Sequence, residues 1–164
     1  FRRVLFRSLG AASGAVAGLV AITPCAGFVG GLAPVIIGAV AGVVCLLAIE
    51  LKHKFGYDDS LDVVGVHLVG GIVGSLLLGL FADPVVNGVV SDPGVFIKGG
   101  GWALMGDQAV AVLVTLVFSF VATFIILKVL QALLPGGIRV DEETEESGLD
   151  LTQHSEVGYS LVSN

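Results

Sequence analysis

His67, within GVHLVGGIVG, is an ionisable side chain inside an apolar run of this 164-residue chain. It stands six residues into the stretch Leu61–Ala82, about 9 Å from its start at ~1.5 Å per helical residue. An imidazole at such depth faces a bundle interior or a pore, and is a functional candidate by default. A neutral imidazole donates at one ring nitrogen and accepts at the other. The alternative is a neutral core imidazole bonded to a neighbouring carbonyl, and position alone leaves both open. Asp62, five residues earlier, reads as a helix cap or a charge at the positive end of the helix dipole. His53 and His154 lie in polar segments and carry no such argument. Cys25 and Cys45 read as small buried hydrophobes near opposite membrane faces, too far apart for the ~7 Å Cα separation that a disulfide tolerates. HExxH, CxxC, Walker and GxSxG patterns are missing from the sequence, and Gly99–Gly101 is not followed by the Lys-Ser/Thr helix start of a phosphate loop. No metal, cofactor or nucleophile–base pair is therefore expected, and a membrane enzyme is the least favoured class.

The elements that must position His67 are helices in lipid. Hydrophobic residues make up 55% of the chain and charged residues 13%, against about 25% charge in an ordinary soluble domain. Mean hydropathy is +0.98. Four apolar stretches predict four membrane helices, at 9–23, 28–51, 61–82 and 108–134. The last three meet the ~20 residues needed to span ~30 Å of hydrocarbon. None alternates as a barrel strand must, so the expected fold class is all-α integral membrane. Thr23-Pro24 ends the first helix, Asp59 or Ser60 can cap the third, and Pro135-Gly136-Gly137 closes the fourth.

Lys and Arg orient the bundle. Lys52, Lys54 and Arg139 fall on one side with Arg2, Arg3 and Arg7, and Lys128 can snorkel there, while Lys98 is alone on the other. The Lys52 loop and the tail are thus expected to be cytoplasmic, and residues 83–107 external. Glycines four apart, Gly14/Gly18, Gly38/Gly42 and Gly70/Gly74, form small-residue stripes that let helix backbones approach closely. Seven of the 14 acids follow Arg139, so the net charge of −6 resides in the tail. Five of the six residues 141–146 are acidic; such a run reads as a solvated, disordered segment, or as a docking segment for a cytoplasmic partner. The basic footprint that nucleic acid binding needs is lacking. No signal peptide or initiating Met is visible. The chain is expected to begin inside a longer protein.

LGAASGAVAGLVAITPCAGFV (9–29) resembles the eighth helix and following turn of the Amt/Mep/Rh ammonium transporter family. DVVGVHLVGGIVG (62–74) resembles its tenth helix, and GLDLTQHSEVGY (148–159) its cytoplasmic C-terminal motif. The tail departs from the usual His-Gly-Glu-x-Ala-Tyr, with Ser155 for Gly and Gly158 for Ala. Residues 1–8 do not resemble the family and read as an atypical, foreign end.

The resemblance implies the C-terminal four-helix portion of an eleven-helix, trimeric plasma-membrane transporter: 9–138 transmembrane, 139–164 an acidic cytoplasmic tail. It implies that His67 is the second of two histidines facing each other in a narrow apolar ammonia pore, the first belonging to the other half of the fold. Thr23 would lie near the outer mouth and Val16 and Val63 along the pore wall. Asp62, Gly65, Gly70, Gly71 and Gly74 would support the pore structurally, and Gly148, Leu149, Asp150, His154, Glu156 and Tyr159 would form the regulatory tail. The implied partners are ammonium or ammonia (methylammonium as analogue), the lipid bilayer, two further copies in a homotrimer, and a PII-type signal protein at the tail. An ammonium sensor of the same superfamily, signalling through its tail, is the alternative; a purely structural membrane subunit is a third class.

Overall fold

A computed structural model describes residues 8–156, with side-chain environments from Gly10 onward. Every regular element among these residues is helical. Helix α1, Ser8–Ile22, runs into a 3₁₀ turn at Thr23–Cys25, where Pro24 supplies no backbone donor. Helix α2, Ala33–Phe55, has Pro34 in its first turn and ends at Gly56, whose φ of 67° is the left-handed conformation that glycine adopts most readily. The third helix has two parts: a π-helical turn, Val64–Leu68, continued by α3, Val69–Phe81. Helix α4 spans Ala103–Leu133 and α5 spans Glu142–Ser147, followed by a second π-helical turn at Asp150–His154.

Three of these helices are long and apolar enough to cross a membrane: Ala33–Phe55, Val64–Phe81 and Ala103–Leu133; Gly10–Cys25 is apolar but shorter. The chain is a membrane protein by these features. The second helix starts at Ala33, not Phe28, because residues 26–32 turn back: the Phe28 amide donates to the Cys25 carbonyl at 3.0 Å and the Ala33 amide to the Gly30 carbonyl at 3.2 Å. It then runs past Leu51 to Phe55, carrying Lys52, His53 and Lys54 in its last turn, where cations favour the negative end of the helix dipole.

The chain divides into two compact units, Phe1–Thr115 and Leu116–Asn164. In the first, the core is built from small side chains in rows four apart. Ala17, Ala21 and Cys25 from α1 and its turn meet Ala33, Ile37, Ala41 and Cys45 from α2, and all are buried. Short side chains let backbones approach, which is how helices gain dispersion energy where lipid removes the hydrophobic driving force. Both cysteines are free and lie in separate clusters of this core. The Cys25 thiol donates to the Gly74 carbonyl at 3.2 Å.

Residues 82–102 wrap the end of α3. The Gly94, Val95 and Phe96 amides donate to the carbonyls of Ala82, Gly79 and Leu80 at 2.8, 3.2 and 3.0 Å. These are carbonyls that a helix end leaves orphaned. The Asp83 amide also bonds the Phe28 carbonyl at 2.8 Å, tying this loop to the turn after α1.

In the second unit the segment of α4 from Leu116 has no buried residue. Phe120 and Phe124 stack there, and the Lys128 ammonium lies 5.7 Å from the Phe124 ring centroid. The acidic tail is ordered into α5, contrary to the expectation of disorder. Asp141 accepts from the Thr144 amide at 2.8 Å and the Thr144 hydroxyl at 3.0 Å, an N-cap that acids in the first turn reinforce against the dipole. Arg139 forks onto both Glu145 carboxylate oxygens at 3.0 and 2.9 Å. The residues of α5 remain solvated, as expected of so many charges.

Candidate functional site

His67 sits within the π-helical turn, and that turn explains how one helix both packs and presents an imidazole. Three glycines form the packed face. A methyl at Gly65 would meet Ile49 Cγ1 at 2.7 Å, one at Gly70 would meet Val20 Cγ1 at 3.2 Å, and one at Gly74 would collide with the Ala21 backbone, its Cα at 2.8 Å. Gly70 and Gly74 are four apart and share an α-helical face. Gly65 and Gly70 are five apart, which in an α-helix would turn them about 140° from each other. The π turn closes with the Val69 amide bonded to the Val64 carbonyl, five residues back. That geometry brings residues five apart nearly into line. All three glycines thereby face α1 and α2, and His67 is left on the exposed side with Val63, Val64 and Leu68.

The helix entry is held by charge. Asp59, not Asp62, is the cap: its carboxylate accepts from the Val63 amide at 2.7 Å and the Val64 amide at 2.9 Å. Asp62 takes a different part. Its φ is 56°, a left-handed backbone unusual for a residue with a side chain. Its carboxylate pairs with the Lys52 ammonium of α2, which also donates to the Asp59 carbonyl at 2.8 Å. Since helical geometry begins at Val63, His67 lies about 6 Å along the axis from the entry rather than ~9 Å. The sequence counted from Leu61, but the turn at 59–62 uses up that length: the Asp62 amide donates to the Asp59 carbonyl at 3.2 Å.

The remaining candidates sort by level. Ala17 of α1 packs in one cluster with Val66 and Cys45, so Val16 and His67, each next in the chain, lie at the same height of the α1–α3 pair. Val16 is 39% exposed and Val63 48%. Thr23 lies toward the other end of the bundle, near the level of Gly74, and its hydroxyl donates to the Leu19 carbonyl at 2.7 Å. A methyl at Gly71 would meet nothing within 4 Å. Of the glycine stripes, Gly70/Gly74 is tight and Gly18 faces Gly38, whose Cα would lie 3.9 Å from a methyl at Gly18; methyls at Gly14 and Gly42 would meet no described atom within 4 Å. In the tail, Gly148 has a φ of 96° and its carbonyl accepts the Thr152 hydroxyl at 2.8 Å. Leu149 and Asp150 lead into the π-helical turn that holds His154, and the Glu156 amide returns to the Asp150 carbonyl at 2.9 Å. Tyr159 and residues 1–7 lie outside the described residues. Among the described residues no cluster of three or more His, Cys, Asp or Glu could hold a metal ion. The sequence reading missed Lys52 as a partner of Asp62; a Lys ten residues before an Asp, across a turn, was the available signal.

Residues 2–159 match the family model of the Ammonium Transporter Family, so the match takes in residues 2–8, which the sequence reading had set apart as a foreign end. The chain belongs to that family. It is 49% identical over 158 residues to an ammonium transporter of Mycobacterium tuberculosis, covering 94% of this chain and 33% of the relative. It is 50% identical over 152 residues to an ammonium transporter of Bacillus subtilis, covering 92% and 36%. The crystal structure of Saccharomyces cerevisiae Mep2 superposes with a TM-score of 0.75 at 36% identity, covering 90% of this chain and 33% of that one. Candida albicans Mep2 gives 0.73 at 36%, covering 84% and 30%. The chain thus spans about a third of the length of these relatives, and the two bacterial ones are named ammonium transporters.

Proposed function

We propose that this segment forms part of an ammonia-conducting channel of an ammonium transporter, with His67 lining the conduction path. The observation that carries this reading is the disposition of the third helix. Its glycines take up the packing, and its imidazole stands on an exposed, otherwise apolar face beside Val63 and Val64. An apolar wall strongly disfavours a bare cation and tolerates neutral ammonia, so Na⁺ and K⁺ are rejected unless their hydration is replaced. A neutral imidazole supplies what ammonia or a passing proton needs, a donor and an acceptor in one ring. On this reading His67 pairs with a second histidine outside this chain, Val16 and Val63 line the wall, and Thr23 lies toward the outer mouth. Asp62 and the glycines Gly65, Gly70, Gly71 and Gly74 hold the wall in place. The Lys52 loop and the tail face the cytoplasm, where Gly148–Glu156, with Tyr159, offer a PII-type signal protein a docking segment. The complete transporter is a plasma-membrane homotrimer.

The test is methylammonium uptake by the complete transporter carrying this segment, with and without His67→Asp. A changed rate or ion selectivity supports a conduction role for His67. Uptake indifferent to the substitution overturns it. Ammonium binding without uptake, by a folded protein, would move the sensor reading ahead.

A further inference from the structure

We infer that Lys52 is a positioning residue for His67, acting through Asp62; this rests on the conduction role proposed for His67. Four features converge on it. The Lys52 side chain reaches from the last turn of α2 to the entry of the third helix, where its ammonium holds the Asp62 carboxylate and the Asp59 carbonyl. Both partners are only partly exposed, at 18% and 24% of their side-chain surface, so the pair is shielded relative to an ordinary surface ion pair. Asp62 has a left-handed backbone, a conformation that carries a cost for any residue with a Cβ and persists where surroundings impose it. Finally, the Asp62 carbonyl accepts the Val66 amide at 2.8 Å, immediately before His67.

The consequence is mechanical. Asp59 fixes where the helix begins by holding the Val63 and Val64 amides. Lys52 fixes the peptide orientation just before that point. The π turn then starts from a set rotation, and its five-residue step directs His67 outward while Gly65 stays against Ile49. Without the ammonium, Asp62 loses the partner that holds it in the left-handed region, and an ordinary α turn competes with the π turn. That competition rotates His67 relative to the packed glycines.

The experiment uses the complete transporter carrying this segment, comparing Lys52→Met, Lys52→Arg and His67→Asp. Lys52→Met is expected to lower the maximal methylammonium rate by about tenfold with the half-saturating concentration changed less than about twofold, since misplacing a group by ~1 Å costs rate rather than ground-state binding. Lys52→Arg, which keeps the charge and donors, is expected to restore most of that rate. A second readout is independent of flux. His67→Cys is modified by a thiol reagent, and its labelling rate is expected to change severalfold with Lys52→Met and return with Lys52→Arg, while Leu19→Cys, at an exposed position, labels equally in all backgrounds. Unchanged labelling of His67→Cys overturns the inference, as does loss of rate that Lys52→Arg does not restore. His67→Asp reports on the conduction role by itself: if it is silent while labelling of His67→Cys still follows Lys52, the conduction role fails and the positioning stands. Should Lys52→Met not assemble, Asp62→Asn replaces it, because Asn tolerates the left-handed backbone and lacks the charge.

Discussion

Gly74→Ala gives the sharpest check on how the third helix is held. A methyl at this position would lie 2.8 Å from both the Cα and the carbonyl carbon of Ala21, and closer still to its carbonyl oxygen. Carbon atoms pack best at about 3.5–4.0 Å, so the shortfall is roughly 0.7–1.2 Å. The clashing atoms are backbone, with no rotamer to change, so α1 and α3 must separate along the whole contact. Overpacking of this kind costs about 1–3 kcal/mol. Against it stands the gain from replacing a helical glycine with alanine, roughly 0.5–1 kcal/mol. The net expectation is a loss of about 1–2 kcal/mol. Gly70→Ala meets the Val20 side chain first, at 3.2 Å, and that group can give. Gly71→Ala meets nothing within 4 Å and keeps only the gain. The assay is the temperature at which half of the detergent-purified complete transporter is lost from its size-exclusion peak. The expected order is Gly71→Ala highest, Gly70→Ala intermediate and Gly74→Ala lowest. A Gly74→Ala protein that survives as well as Gly71→Ala would refute the close approach of α1 and α3 and the packed face built on it.

Three further outcomes follow from the geometry. Asp59→Ala removes the acceptor of two helix-start amides and is expected to destabilise by about 1 kcal/mol, most of which Asp59→Asn retains; apparent melting temperatures check this. The Asp141 carboxyl is held below the ordinary carboxylate range, chiefly by the hydrogen bond from the Thr144 amide. A depressed acid contributes stability that is present above its unfolded pKa and lost as pH falls through the folded one; α5 is thus unaffected by pH near neutrality and loosens in acid below the ordinary Asp range, a loss to be read from the Thr144 amide NMR signal and abolished by Asp141→Ala. Residues 1–164 expressed alone are expected to give no methylammonium uptake, measured in cells lacking other transporters, because on the proposed reading the facing half of the pore is supplied by other residues.

Much of this architecture was legible from composition and punctuation, and what was not has a common physical cause. Apolar length marks a helix in lipid because no other open structure satisfies its backbone there, so α2 to α4 show directly in the sequence. Hydropathy carries no information about rotation. It could not show that Leu61 and Asp62 belong to a turn, or that five residues separate two packed glycines. Lys52 and Asp62 are ten apart in sequence and meet only because residues 56–62 fold back, so the pair was invisible to any periodicity. The cap at Asp59, by contrast, was one that the sequence offered; what it did not show was that Asp62 pairs with Lys52 instead of capping. In the tail, charge repulsion argued for disorder, but the local Asp141-x-x-Thr144 cap and the Arg139 fork outweigh it.

The five-residue step between Gly65 and Gly70 bears on what the strained entry accomplishes. An all-α third helix could keep Gly70 and Gly74 against α1, but would rotate Gly65 about 140° off that face and bring Val63 and Val66 toward the Ile49 contact, with His67 turned toward the core. Val66 already fills its own place against Ala17 and Cys45. A bulkier neighbour at Ile49 would push the lower ends of α2 and the third helix apart, opening the region that Lys52 bridges. Alternatively the lower half would stay packed on Ile49 and Gly70 and Gly74 would turn away from α1, losing the close approach to Val20 and Ala21. The π turn avoids both outcomes by inserting one residue of twist directly at the imidazole. Position, charge clamp and packing are therefore a single device, and a deletion that restores α-helical spacing between Gly65 and Gly70 should disturb packing and His67 together rather than either alone.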